Sequence, residues 1–216
     1  MNYEPTFTCT HERRVGGLGD GPKWLCDPHR IQQQDSCLVY SVGSNNNFMF
    51  EEAILSTISD KCEIHTFDHT VGLNPSNKPS AVHFHPWGLK QQDSGQFKSF
   101  PTIVRELGHK HRVIDILKID CEGCEWETYA SWFTDTDVYI RQIQVELHQG
   151  TGYQAGYTGS GNDLRATHFL ACLKQLGYVV FHKESNSMAG GGLIEYAFLR
   201  LDISFQHVTD GKNLNI

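Results

Sequence analysis

From Cys37 onward the hydrophobic positions fall into short β-branched or aromatic runs, separated by stretches whose apolar residues recur at helical spacing. The runs Cys37 to Val42, Glu63 to Phe67, Ala81 to His85, Ile114 to Ile119, Ile140 to Leu147, Tyr178 to His182 and Ile194 to Leu201 predict strands, each bounded by turn residues. Between them, Phe48 to Ser59, Phe100 to Leu107, Glu125 to Phe133 and Asp163 to Leu176 predict helices, the last stopped by Gly177. This alternation implies an α/β fold, a mainly parallel sheet with helices on both faces. The final pair differs. In "GYVVFHKESNSMAGGGLIEYAFLRL" there is no room for a helix between the two strands, so the last strand should return antiparallel. Residues 1–36 sustain neither period and read as an extended arm, packing on a domain formed by residues 37–216.

Ligands of such sheets sit beyond the carboxyl ends of the strands, where strand order reverses, so the residues just after each strand are the candidates. After the first come Gly43 and "SNNN", which suit close backbone approach to a ligand or an Asn-rich helix cap. After the second comes Asp68, at the spacing from a glycine turn where a carboxylate meets a ribose; it could equally cap the turn that follows. Together they favour a nucleoside-containing cofactor. After the third comes "HFHPWGLK", in which Trp87 could border an adenine and Gly88 lets the backbone pass beneath it. His83 and His85 have metal-like spacing but no third ligand nearby in sequence.

The densest chemistry follows the fourth strand. In "ILKIDCEGCEWE", Lys118, Asp120 and Glu122 share a face if the extended conformation persists. In the fifth strand Gln142, Gln144, Glu146 and His148 alternate with Ile143, Val145 and Leu147, a polar row that packing alone would not select in a buried strand. Adjacent strands would bring Asp120, Glu146 and His148 together.

Charge and cysteine content narrow the function. A net charge of -7 and the absence of a sustained Lys/Arg cluster argue against a nucleic-acid partner. No apolar stretch approaches a membrane span, and "MNYEPTFTCT" is not built like a signal peptide. The chain as written reads as soluble, cytoplasmic or, as part of a longer anchored protein, luminal. Seven cysteines include one C-x-x-C, Cys121 and Cys124, without a second pair at zinc-finger spacing; Cys9 and Cys26 could pair in an oxidising compartment.

"VYSVGSNNNFMFE", "HTFDHT", "FHPWGL", "LKIDCEGCEWE" and "VELH", in this order, resemble the S-adenosylmethionine-dependent methyltransferases of the FkbM type, in particular their methyltransferase-like branch; "RRVGGLGDGPKWLCD" resembles that branch's lead-in. The resemblance implies a class I methyltransferase fold, a Rossmann-like three-layer sandwich whose seven-stranded, mostly parallel sheet has an antiparallel last strand. It implies that Gly43, Ser44 and Asn45 line the methionine end of S-adenosylmethionine, Asp68 the ribose, and Gly88 and Leu89 the adenine, with His69 a further cofactor contact. Asp120 and Glu122 then border the methyl-transfer site, and Ser41 stands where many relatives place an acidic cofactor contact.

For a hydroxyl acceptor a base is needed, and His148 suits by its ordinary pKa near 6.5, oriented by Glu146 or Asp120, with Lys118 pairing with the carboxylates. Alternatively Asp120, Glu146 and His148 hold a divalent metal. The expected acceptor is a hydroxyl of a sugar, glycan or small molecule, met by the arm and by loops Gly72 to Ser80, Gln149 to Asn162 and Glu184 to Gly192. The alternatives are N-methylation of a peptide or amine, and a catalytically silent binding module of the same fold. A nicotinamide oxidoreductase is disfavoured by the missing G-x-G-x-x-G. Oligomeric state is not legible.

Overall fold

The computed structural model describes residues 3–19, 21–73, 75–148, 164–186 and 193–201. In chain order its elements are β1 (Glu12–Val15), β2 (Lys23–Cys26), α1 (Pro28–Gln32), β3 (Cys37–Val42), α2 (Met49–Ala53), β4 (Cys62–Phe67), β5 (Val82–His85), β6 (Gly88–Leu89), β7 (Phe97–Lys98), α3 (Phe100–Glu106), β8 (Val113–Ile119), α4 (Glu125–Thr128), β9 (Tyr139–His148), α5 (Leu164–Gln175), β10 (Tyr178–Ser185) and β11 (Leu193–Arg200). α2 runs on as a π-helical turn, Ile54–Ile58, and α4 as a 3-10 turn, Tyr129–Trp132. In the π segment Ser56 and Thr57 return their hydroxyls to the carbonyls four residues back, which competes with the α-helical ladder.

Seven strands form one sheet in the order β10-β11-β9-β8-β3-β4-β5. β3, β4, β5, β8 and β9 pair in parallel, and β11 is antiparallel to both β9 and β10. This is the mostly parallel α/β sheet with an antiparallel last strand that the resemblance implied. Chain order reverses between β3 and β8, so the carboxyl ends of these two strands flank the crevice. Alternate residues feed two cores. Tyr40, Phe67, Phe100, Trp132, Phe169 and Phe198 pack on one face, and Leu25, Ile31, Val39, Ile54, Ile64 and Ile116 on the other.

The arm is not merely extended. Its glycine-rich stretch is the turn of a β1–β2 hairpin, with Gly16, Gly17, Gly19 and Gly21 all at positive φ, and its four-residue strands are too short to show a period. Leu25 and Ile31 are fully buried beneath the main sheet. The Gln142 side chain on β9 clamps both backbone groups of Cys26, donating to its carbonyl at 2.8 Å and accepting from its N–H at 2.9 Å. The polar row on β9 therefore exists partly to receive the arm. Loop Gln149 to Asn162, residue Asp163 and residues 187–192 lie outside the described residues.

Three disulfides join Cys9 to Cys26, Cys37 to Cys62 and Cys121 to Cys124, leaving Cys172 as a thiol. The C-x-x-C is thus a disulfide and not a metal ligand pair. Cys9–Cys26 closes a loop of 17 residues around the hairpin. Removing it as Cys9→Ala with Cys26→Ala should lower unfolding free energy by about 3 kcal/mol, read from urea denaturation with the other two disulfides intact.

Candidate active site

A cavity of about 1080 Å³ opens at the carboxyl ends of β3 and β8. One wall is the turn Gly43, Ser44, Asn45 with Asp68 and His69. A second is apolar, from Phe67, Trp87, Leu89 and Phe97. A third holds Lys118, Asp120, Glu122 and Glu146, and the Cys121–Cys124 disulfide and Trp126 form the lip. Gly21 of the hairpin turn also reaches it.

The turn after β3 is held from within the protein. Gly43 has φ +84, and a Cβ there would lie 1.6 Å from the carbonyl oxygen of Asp120. The glycine is required because the chain leaving β8 crosses directly over it. Asn45 and Asn46 follow in the left-handed region that asparagine tolerates. The Asp68 carboxylate accepts from the N–H groups of Ser44 at 2.8 Å, Asn45 at 2.7 Å and Thr70 at 2.8 Å, and from the hydroxyls of Ser44 and Thr70. A carboxylate has about four acceptor sites, so this one is fully used. Burial alone would raise its pKa, but these hydrogen bonds hold it below the usual carboxylate value. Asp68 ties the turn to the tip of β4, the capping role that the sequence offered as the alternative to a ribose contact, and it still lines the cavity.

Gly88 also has a packing reason. A Cβ there would meet the Phe97 ring at 2.6 Å and His69 Nδ1 at 2.9 Å. Trp87 carries the Lys98 ammonium 3.7 Å from its ring centroid. Ser41 does not reach the cavity: strand alternation turns Val42 into it and sends Ser41 to the arm-facing side, fully buried, in register with Lys118 and Gln144.

The charged wall belongs to that same arm-facing side. Glu146 on β9 lies directly opposite Glu195 on β11, a like-charge pair that repels if left alone. Lys23 from β2 neutralises it. Its Nζ, fully buried, lies 2.8 Å from Glu195 Oε1 and 3.2 Å from Asp120 Oδ2. Burial pushes this lysine down, but Asp120 and Glu195 more than offset that and hold it above its ordinary value. Lys118 donates to the Gly43 carbonyl and lies 3.8 Å from the same Asp120 oxygen, the pairing expected of it. Burial would raise Asp120, but the two ammonium groups hold it well below the carboxylate range.

β8 stops at Ile119 and Glu122 takes a positive φ of 57°, so the extended conformation does not persist. The loop nevertheless returns Glu122 to within 3.4 Å of His148 Nε2. His148 stands behind Glu146 and is not part of the cavity wall. Its N–H and its Nδ1 both meet Glu125 Oε1, at 2.8 and 3.1 Å, and Glu125 is fully buried. Burial would lower His148, but the Glu125 hydrogen bond and the charges of Glu125, Glu146 and Glu122 raise it to about 9. At neutral pH it is an imidazolium that donates, and the reading of His148 as a base with an ordinary pKa is corrected. Glu146 moves the other way. Burial and the neighbouring Asp120 push it up to about 7, while Asn186 donates to its Oε1 at 2.8 Å.

Ligand atoms of Asp120, Glu146 and His148 lie within 4.8 Å of one another, as a metal site requires. Their chemistry does not fit one. Lys23 donates to Asp120 Oδ2 with Lys118 3.8 Å from the same oxygen, Glu125 holds His148 Nδ1 and Asn186 donates to Glu146 Oε1, so the donors are already engaged by cations and hydrogen bonds. Sequence reading did not find Lys23, Glu125 or Glu195. The only signals were a lone lysine amid "GDGPKWLC" and a glutamate opening a helix, and neither reports its distant partner.

A family model described as a methyltransferase domain matches residues 1–200, the arm included. No curated protein matches the sequence. Among solved structures, the chain is similar to a fibrillarin pre-rRNA processing protein of Methanococcus jannaschii, with 7% identity over 90% of this chain and 85% of that one and a TM-score of 0.49. A putative rRNA-methylase from Clostridium thermocellum shows 12% identity over 81% and 93%, with a TM-score of 0.45. The 1,6-didemethyltoxoflavin-N1-methyltransferase of Burkholderia thailandensis, solved with 1,6-didemethyltoxoflavin and S-adenosylhomocysteine, shows 10% identity over 77% and 72%, with a TM-score of 0.41.

Proposed function

The chain belongs to the methyltransferase-domain family, and from that premise we propose that it transfers a methyl group from S-adenosylmethionine to a hydroxyl of a sugar, glycan or small molecule, with Glu146 as proton acceptor. The observation that carries this reading is a buried carboxyl, raised toward neutrality, facing a cavity at the point where strand order reverses.

The cavity suits the cofactor's two ends. Ser44, Asn45 and Asn47 would hold the amino-acid end and Trp87, Leu89 and Phe97 the adenine, within a volume just above the roughly 300–1,000 Å³ usual for ligand sites. S-adenosylmethionine supplies an electrophilic methyl group on a sulfonium. Glu146 takes the proton of the acceptor hydroxyl. Asp120, kept ionised by Lys23 and Lys118, raises the basicity of Glu146, and Asn186 holds its Oε1. His148, anchored by Glu125, positions Glu146 from behind, 3.5 Å from its Oε2.

The FkbM-type resemblance favours a hydroxyl acceptor over an amine, and so does a base at Glu146, because an amine attacks without one if it arrives neutral. Three disulfides favour an oxidising compartment as the place of action. None of the described helices is long and apolar enough to cross a membrane.

Calorimetric titration with S-adenosylhomocysteine, with NAD as control, tests the cofactor. Saturable binding of S-adenosylhomocysteine alone is expected. No binding to the folded protein would replace this reading with the catalytically silent module.

A further inference from the structure

A second polar cluster lies on the other face of the sheet, outside the cavity wall. Glu63 and His65 project from β4 upstream of Asp68, and His109 follows α3. Glu63 Oε1 is 3.0 Å from His65 Nε2 and 3.1 Å from His109 Nε2. The three donor atoms lie within 4.8 Å of one another, the separation that donors around one small ion require.

We propose that Glu63, His65 and His109 form a binding site for a divalent transition ion of the zinc class, one carboxylate oxygen and two imidazole nitrogens, tying β4 to the chain that leaves α3. Two features beyond proximity carry this.

Each imidazole turns Nε2 to the shared oxygen and has Nδ1 held by a further group. His65 Nδ1 is 2.9 Å from His85 Nε2, and His109 Nδ1 is 2.7 Å from the buried Tyr40 hydroxyl. Metal-binding histidines are fixed in this way, through the nitrogen that does not face the ion. The neighbouring cation does not block the ion. Arg112 takes Glu63 Oε2 at 2.7 Å and leaves Oε1 to the imidazoles.

His65 and His109 are buried while Glu63 keeps 36% of its side chain exposed, so water can complete the coordination from that side. Two nitrogens and one oxygen suit zinc better than calcium or magnesium, which prefer oxygen alone. The ion would brace β4, whose tip carries Asp68 and so the turn Gly43 to Asn45. Of the His83–His85 pair, neither is a ligand of this site; His85 takes part only as the partner of His65 Nδ1.

Chelator-treated full chain, titrated with zinc chloride at pH 7.5 by calorimetry, tests the site. The expected result is one equivalent bound, with a rise in Tm. His65→Asn or His109→Asn should weaken binding by at least about 100-fold and Tyr40→Phe by about 10-fold, while Glu146→Gln leaves it unchanged. No zinc binding, binding indifferent to His65→Asn, or binding lost in Glu146→Gln would overturn the proposal. Should the histidine variants fail to fold, zinc-edge anomalous scattering from wild-type crystals decides. A peak between Glu63, His65 and His109 supports the site, and zinc found only elsewhere overturns it.

Discussion

Glu146→Gln is expected to lower kcat by about 10²–10⁴-fold, the usual contribution of a positioned acid or base, with S-adenosylhomocysteine affinity changed little. The substitution is nearly isosteric and keeps an acceptor for Asn186, so the fold should survive. The pH profile separates a base from a packing residue. Glu146 is raised to about 7 because it is buried beside Asp120, so kcat/KM should climb as pH passes through neutrality and the carboxyl loses its proton. His148 is raised to about 9 and stays charged across that range, so activity should fall only on the alkaline side. In Glu146→Gln the acid limb should vanish. Should the variant keep wild-type turnover with the same profile, proton removal is not the task of Glu146.

Lys23→Met is expected to destabilise the protein by about 3–5 kcal/mol, because removing one partner of a buried ion pair leaves the other charge uncompensated. Here Glu195 would be stranded, and Asp120 would be left with Lys118 alone, 3.8 Å away. Urea denaturation measures the loss. Adding Glu195→Gln should recover a substantial part of it, since the two residues are in direct contact and their effects cannot add. Equal destabilisation with and without Glu195→Gln would mean that Lys23 matters for packing and not for charge. Activity should fall as well, because Lys23 helps keep Asp120 ionised beside Glu146.

How much of this was legible depends on the range of the cause. Each of the seven main strands was found within a few residues, because their period-2 patterns and turn residues are local. β9 extends one residue beyond each predicted end, and β10 runs to Ser185 instead of His182. The antiparallel return of β11 followed from the missing crossover length. The arm's hairpin was missed because four-residue strands carry too little pattern, and its glycines read as looseness when they were a turn.

Within the site, the sequence determined which residues crowd the crevice. Position at a strand's carboxyl end is a local property, and Gly43, Ser44, Asn45, Asp68, His69, Gly88, Leu89, Lys118, Asp120, Glu122 and Glu146 all line the cavity. What each of them does there was decided only by tertiary structure. Gly43 answers to the carbonyl of Asp120, and Asp68 is spent on its own turn. The protonation of Glu146 and His148 is set by Asp120 and Glu125, and Lys23 meets Glu195 across 172 residues of chain. Hydrophobic periodicity survives in the linear order because each element carries its own share of it. A pKa does not, because it is the sum of burial and charge over whatever folding brings within a few ångströms.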